Sequence, residues 1–175
     1  RVTRVAETYF PDLCDSNSDP RASLLFLDGI RWIQDRADES LDIILIDSTD
    51  PIGPAAGLFH EDFYRECFRV LKKGGILAQQ SESPILHIDT IIKEMHGHFR
   101  QAGFSSTQLL PFPQPIYPSG WWSVTLAGKE CDVTNVPKLT GRDQTFTTQY
   151  YNESVHQAAL AMPNFFKPFL TKAAR

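Results

Sequence analysis

Two aspartates three residues apart, Asp47 and Asp50, open the segment Asp47-Ser48-Thr49-Asp50-Pro51-Ile52-Gly53-Pro54. On a stiff loop such a pair suits a diamine, because each ammonium can be held by charge-assisted hydrogen bonds. One carboxylate can also work on a proton. An alkylammonium attacks no electrophile until it is deprotonated, and a carboxylate in a water-poor site can take that proton while holding the amine in line. The stiffness comes from Pro51, Gly53, Pro54 and Gly57, which fix a path that is neither helix nor strand. The same residues are ordinary turn chemistry for a strand end, and on local grounds both readings stand.

Other polar residues fall at similar places. Asp28-Gly29 closes the apolar run Ser23–Leu27; the carboxylate reads equally as an acceptor for an adenine amino group or as the N-cap of a following helix. Gly29 would let a ligand approach the backbone. Gln79-Gln80-Ser81-Glu82 ends another run, and Glu82 reads as a charge at a helix N-terminus. Tyr117 lies in the proline-flanked loop Ile116-Tyr117-Pro118-Ser119-Gly120, where its phenol either faces a site or packs over a sheet. The five histidines form no HExxH arrangement, and His96 and His98, two apart, make a poor metal pair. Cys14, Cys67 and Cys131 show no metal or disulfide spacing and read as unpaired thiols.

These residues need a frame. The unalternating run Leu41–Ile46 predicts a strand covered on both faces and ending at Asp47. Further strands are expected at Ser23–Leu27, Ile76–Gln80, Ser105–Leu110 and Trp121–Ala127. Helices are expected in the opening residues (Val2, Val5, Ala6, Tyr9) and over Ile30, Ile33 and Ala37. Two more follow over Phe59–Leu71, stopped by Lys72-Lys73-Gly74-Gly75, and over Ile85–Phe99, closed by Gly103. Strands alternating with helices predict a doubly wound α/β domain with a mainly parallel sheet. The last two strands, joined without a helix, are free to pair antiparallel. In such a sheet ligands bind outside the carboxyl ends of the strands, where Asp28, Asp47 and Gln80 all fall. One domain over 1–175 is expected, with a core to about residue 129 and an extension from about 130. That extension holds a short helix near Asn152–Ala161 and a tail of Phe165, Phe166, Phe169 and Leu170 that either packs on the domain or serves an oligomer contact.

A net charge of −4, from 21 acidic and 17 basic residues, disfavours nucleic acid as a partner. No apolar run approaches the ~20 residues that span a bilayer, and no signal-peptide pattern opens the chain. The cytoplasm is the expected location. A chain that starts at Arg1 inside an amphipathic pattern is expected to be part of something longer.

The segment Asp47–Pro54 with Leu58-Phe59 resembles the D-[SC]-[ST]-D-P-x-G-P-x-x-x-L-F signature of the spermidine synthases. Asp28-Gly29, Gln80-x-Glu82 and Ile116–Gly120 follow in that family's order, and the similarity covers roughly residues 2–129. A weaker match lies in Tyr150–Asn152 and His156–Pro163. The resemblance implies the Rossmann-like fold of S-adenosylmethionine-dependent methyltransferases and the transfer of an aminopropyl group from decarboxylated S-adenosylmethionine to putrescine, giving spermidine and methylthioadenosine. It implies Asp47 as proton acceptor, Asp50 as diamine ligand with Ser48 and Thr49 beside it, and Gln80 and Tyr117 along the polyamine groove. Asp28 and Gly29 would contact adenine, with Pro54 and Leu58 beside it. The donor is a co-substrate; no metal or other cofactor is expected, and a homodimer or higher homo-oligomer is. The family's N-terminal β domain, its GGGDGG turn and the acidic residue for the ribose have no counterpart here, so an incomplete donor site, and a 175-residue piece inactive by itself, are expected. Relatives using agmatine, cadaverine or spermidine, a methyltransferase on the same sheet, and a noncatalytic fragment are the competing readings.

Overall fold

The structure, a computed structural model, describes residues 1–134 and 147–170; of the extension expected from about 130, residues 135–146 and 171–175 lie outside the described residues. After helix α1 (Val2–Tyr9) and two short 3-10 turns comes α2 (Gly29–Gln34). Strand β1 (Leu41–Ile46), a 3-10 run over Gly53–Phe59, and α3 (Glu61–Val70) lead into β2 (Leu71–Gln80). Helix α4 (Pro84–His87) passes through a π-helical turn (Ile88–Ile92) into α5 (Lys93–Ala102). Strands β3 (Ser106–Pro113) and β4 (Trp121–Gly128) and helices α6 (Glu153–Leu160) and α7 (Lys167–Leu170) complete the order.

The α/β class with a central sheet stands, but the sheet is mixed rather than mainly parallel. Its order is β1-β2-β4-β3, with β1–β2 parallel and the other two pairs antiparallel. The reason is the connection of β3 to β4: a hairpin returns the chain at once, whereas a parallel neighbour needs a long crossover.

One face of the sheet carries the core. Ile44 and Leu77 are covered by Phe63, Tyr64, Cys67 and Val70 of α3 and by Met95 and Phe99 of α5. Each of these larger side chains, fully buried, contributes roughly 1.5–3 kcal/mol. Aromatic rings knit the two helices, with Tyr64 and Phe99 at 4.1 Å and Phe99 and Phe104 edge to face at 5.5 Å. Alternate residues of β1 point the other way: Ile43 and Leu45 are 61% and 77% exposed. The expectation that β1 is covered on both faces is therefore corrected among the described residues.

Three boundaries differ from those the sequence predicts. Ser23–Leu27 is not a strand, and Leu24, Leu25, Phe26 and Leu27 are exposed; an apolar run becomes a strand only when a neighbour takes its backbone hydrogen bonds, and none of the described residues pairs with it. Lys72–Gly75 belongs to β2 rather than to a helix end, and an irregular register between Leu41 and Ile43 accommodates it. Helix α2 stops at Gln34, short of Ala37.

Helix α5 stops and helix α6 starts where the sequence predicts. Helix α5 ends at Gly103, whose N–H bonds back to Arg100 and Phe99. Asn152 caps α6 through its side chain at 2.9 Å. The three cysteines are free. Phe166 is buried beside Ile88, Ile92 and Leu109, so that part of the tail packs on its own domain. Among the described residues no helix is long and apolar enough to cross a membrane, and no group of His, Cys, Asp and Glu could hold a metal ion.

Candidate functional site

Because β1 and β2 run parallel, their carboxyl ends share one edge, and the β3–β4 hairpin tip arrives at the same edge. A cleft of about 1010 Å³ opens there. Asp47, Ser48, Thr49 and Asp50 follow β1 into it; Gln80 ends β2, and Glu82 comes two residues later. Tyr117 and Trp122 enter from the hairpin, and Leu86 and His87 from α4. The structure thus gathers five of the sequence-expected residues around Asp47: Ser48, Thr49, Asp50, Gln80 and Tyr117.

The acid loop is held from behind. Gln79 donates from Nε2 to the Leu58 carbonyl at 3.2 Å, and His98 Nδ1 meets the Phe59 carbonyl at 2.9 Å. Gly57 packs so closely on α2 that a Cβ there would meet Ile30 Cδ1 at 2.8 Å. The tight approach brings the turn carrying Pro54 and Leu58 against the helix that begins at Gly29. Asp28, Gly29, Pro54 and Leu58 do not line the cleft itself. Asp28 caps α2, its Oδ1 accepting from Ile30 N at 2.9 Å and Arg31 N at 3.2 Å.

Glu82 is the residue whose importance the sequence reading missed. It is only 2% exposed and holds a left-handed backbone, φ 68°, a conformation costing about 1–3 kcal/mol outside glycine. Burial is the main cause that raises its carboxyl above the usual range; Asp50 raises it further, while Gln80 and His87 pull it down. The signal in the sequence is position: Glu82 follows Gln80 off the same strand end, although a charge there also suits a helix start. The helix cap is Ser83, whose Oγ accepts from Leu86 N.

Tyr117 is half-exposed and lies on Trp122, ring centroids 4.6 Å apart. Its loop is closed by Gln114 N to Gly120 O at 2.8 Å and by Gly120 N to Tyr117 O at 3.1 Å. Ser119, at φ 74°, bonds through Oγ to Ser83 Oγ at 2.6 Å, which pins the hairpin tip to the start of α4. Below the cleft, Ser123 Oγ donates to the Glu82 carbonyl at 2.8 Å and lies 3.0 Å from Ser81 Oγ. These buried hydroxyls hold the strained Glu82 backbone in place. The site therefore offers three carboxylates, an aromatic wall and a fixed loop: a receptacle for an extended cation beside a group able to take a proton.

Comparison with known proteins finds relatives for nearly the whole chain. Residues 1–137 match the spermine/spermidine synthase domain. The chain is 58% identical over 167 residues to a polyamine aminopropyltransferase of Thioalkalivibrio sulfidiphilus, covering 95% of this chain and 59% of that protein. It is 55% identical over 166 residues to the polyamine aminopropyltransferase of Methylococcus capsulatus, covering 95% and 58%. Among solved structures it superposes on a spermidine synthase in complex with the transition-state analogue AdoDATO, with TM-score 0.86, 32% identity, and 95% and 57% coverage. The spermidine synthase of Thermotoga maritima gives 0.83, 33%, and 95% and 56%. The chain spans less than two thirds of the length of each of these proteins.

Proposed function

The chain belongs to the spermine/spermidine synthase domain family, and from that premise we propose that its cleft serves aminopropyl transfer from decarboxylated S-adenosylmethionine to putrescine. The observation that carries the proposal is the meeting of Asp47, Asp50 and Glu82 in one cleft beside Tyr117 and Trp122. A diamine has a cation at each end, and carboxylates along an aromatic wall hold both while the methylene chain lies on the rings.

In this reading Asp47 takes a proton from the near ammonium. The freed nitrogen lone pair attacks the aminopropyl carbon next to sulfur; the C–S bond breaks, and its electron pair leaves on the sulfur of methylthioadenosine. The sulfonium supplies its own leaving group, so the chain's part is to orient the amine and accept its proton, and no cofactor is needed beyond the co-substrate. Asp50, with Ser48 and Thr49, holds the amine. Gln80 and Tyr117 line the groove. Asp28, Gly29, Pro54 and Leu58 take the adenine side, a placement supported by the packing of the 53–59 turn on α2. A homodimer or higher oligomer in the cytoplasm belongs to the same proposal; of the tail rings, Phe165 is the one still exposed enough to meet a partner.

The test is methylthioadenosine release by the intact protein given the donor and, separately, putrescine, agmatine, cadaverine and spermidine. Release with putrescine supports the proposal. Release only with another amine reassigns the acceptor, and release with none refutes aminopropyl transfer.

A further inference from the structure

Gln80 sits where three walls of the cleft meet, and its side chain has no hydrogen bond left to give. Its Nε2 donates to the Ser48 carbonyl at 3.1 Å and to Glu82 Oε1 at 3.0 Å. Its Oε1 accepts from the Glu82 backbone N–H at 2.8 Å and from the Trp122 indole at 2.9 Å. A primary amide has two donor hydrogens and two acceptor lone pairs, and all four are used. The orientation is fixed as well, since a flipped amide would set its NH2 against two N–H donors and its oxygen against a carbonyl and a carboxylate.

The four bonds reach three working parts, two of them going to Glu82. Ser48 belongs to the loop that carries Asp47 and Asp50. Glu82 is the strained, buried carboxylate. Trp122 is the platform on which Tyr117 lies. No single element could fix these parts relative to one another, because they come from β1, from the turn after β2 and from β4.

We infer that Gln80 is a positioning residue and not an amine ligand: its saturated amide fixes the acid loop, Glu82 and the Trp122–Tyr117 stack at one separation, which sets the span offered to the acceptor. The consequence for the acceptor rests on the proposed aminopropyl transfer; the structural part rests on the four bonds alone.

Two variants separate the roles. Gln80→Met keeps the length and removes all four bonds. Gln80→Glu keeps the two accepted bonds and loses the two donated ones, while setting a carboxylate oxygen against Ser48 O and Glu82. In Gln80→Met the Trp122 indole hydrogen is expected to exchange about tenfold faster, with Trp32 as the unchanged control. In Gln80→Glu it is expected to exchange no faster than in the unaltered protein. Backbone 15N order parameters at Ser48, Thr49 and Asp50 should fall in both variants, and putrescine affinity should drop about tenfold in both. Order parameters unchanged in both variants would overturn the inference. So would weakened putrescine binding with order parameters and indole exchange both unchanged, which marks a direct ligand. If the unaltered protein binds no putrescine and the variants still show this split, the positioning role stands and the diamine reading is what fails.

Discussion

Asp28 and Asp47 each close an apolar run and precede a small residue, yet the structure treats them differently. Behind Asp47 the run Leu41–Ile46 is laddered to β2, and no donor among the described residues occupies the Asp47 carboxylate. Behind Asp28 the run Leu24–Leu27 lies exposed, and Asp28 bonds two backbone N–H groups of α2. An aspartate is available for chemistry when the backbone around it makes no demand on its oxygens. A helix start makes that demand, and a proline-stiffened loop does not. The same contrast separates the cleft, where Glu82 is strained and its proton affinity raised, from the covered core, where His96 is buried beside Thr107 at 2.8 Å.

The largest effect expected from this contrast is at Asp47. In the intact protein Asp47→Asn should lower turnover by ~10²- to 10⁴-fold with an unchanged thermal midpoint; turnover within a few-fold of normal would remove the distinction between the two aspartates. Cleft and core should next show opposite responses to pH. Burial, helped by Arg100, pushes the His96 ring down to about 4, against about 6.5 in the unfolded chain. Between those values the folded chain binds fewer protons than the unfolded one. Stability is thus full above about 6.5 and falls as pH drops toward 4, by about 3 kcal/mol. Glu82 works the other way: its carboxyl is raised on folding, so its contribution is present at low pH and lost as pH rises through the folded value. Urea unfolding from pH 7 to 4.5 on the unaltered protein, His96→Gln and Glu82→Gln resolves the two: His96→Gln should lose the fall in stability at low pH, and Glu82→Gln should steepen it. A variant whose profile runs parallel to that of the unaltered protein contradicts the assignment of the residue it replaces.

Glu82→Gln should also weaken putrescine binding about tenfold at a pH where the carboxylate is charged, read by calorimetry. The smallest effect belongs to Asp28. Asp28→Ala should cost about 1 kcal/mol of stability through the lost cap, and Asp28→Asn should be close to neutral, since Asn caps as well as Asp. A large loss in Asp28→Asn would mean that its charge, and not only its capping oxygen, matters.

The strand Leu41–Ile46, the stripe of α3, the stop at Gly103 and the helix near Asn152–Ala161 were legible because each is a local pattern carried by adjacent residues. So was the acid loop. What could not be read is what depends on partners far along the chain. Val124 lies opposite Gln80, and only that register brings the Trp122 indole to the Gln80 amide. Glu82 looked like a helix-start charge because the left-handed turn that buries it is not encoded by a glycine. Leu24–Leu27 has the composition of a strand, but composition carries no information about whether a neighbour is there to pair with it.

Whether Asp47, Asp50 and Glu82 together hold a diamine is decided by titrating putrescine into the protein labelled with 13C at its side-chain carboxyl carbons. Saturable shifts are expected at those three carboxyls and none at Asp28. Shifts confined to Asp28, or no saturable shift at Asp47 and Glu82, would contradict that joint role.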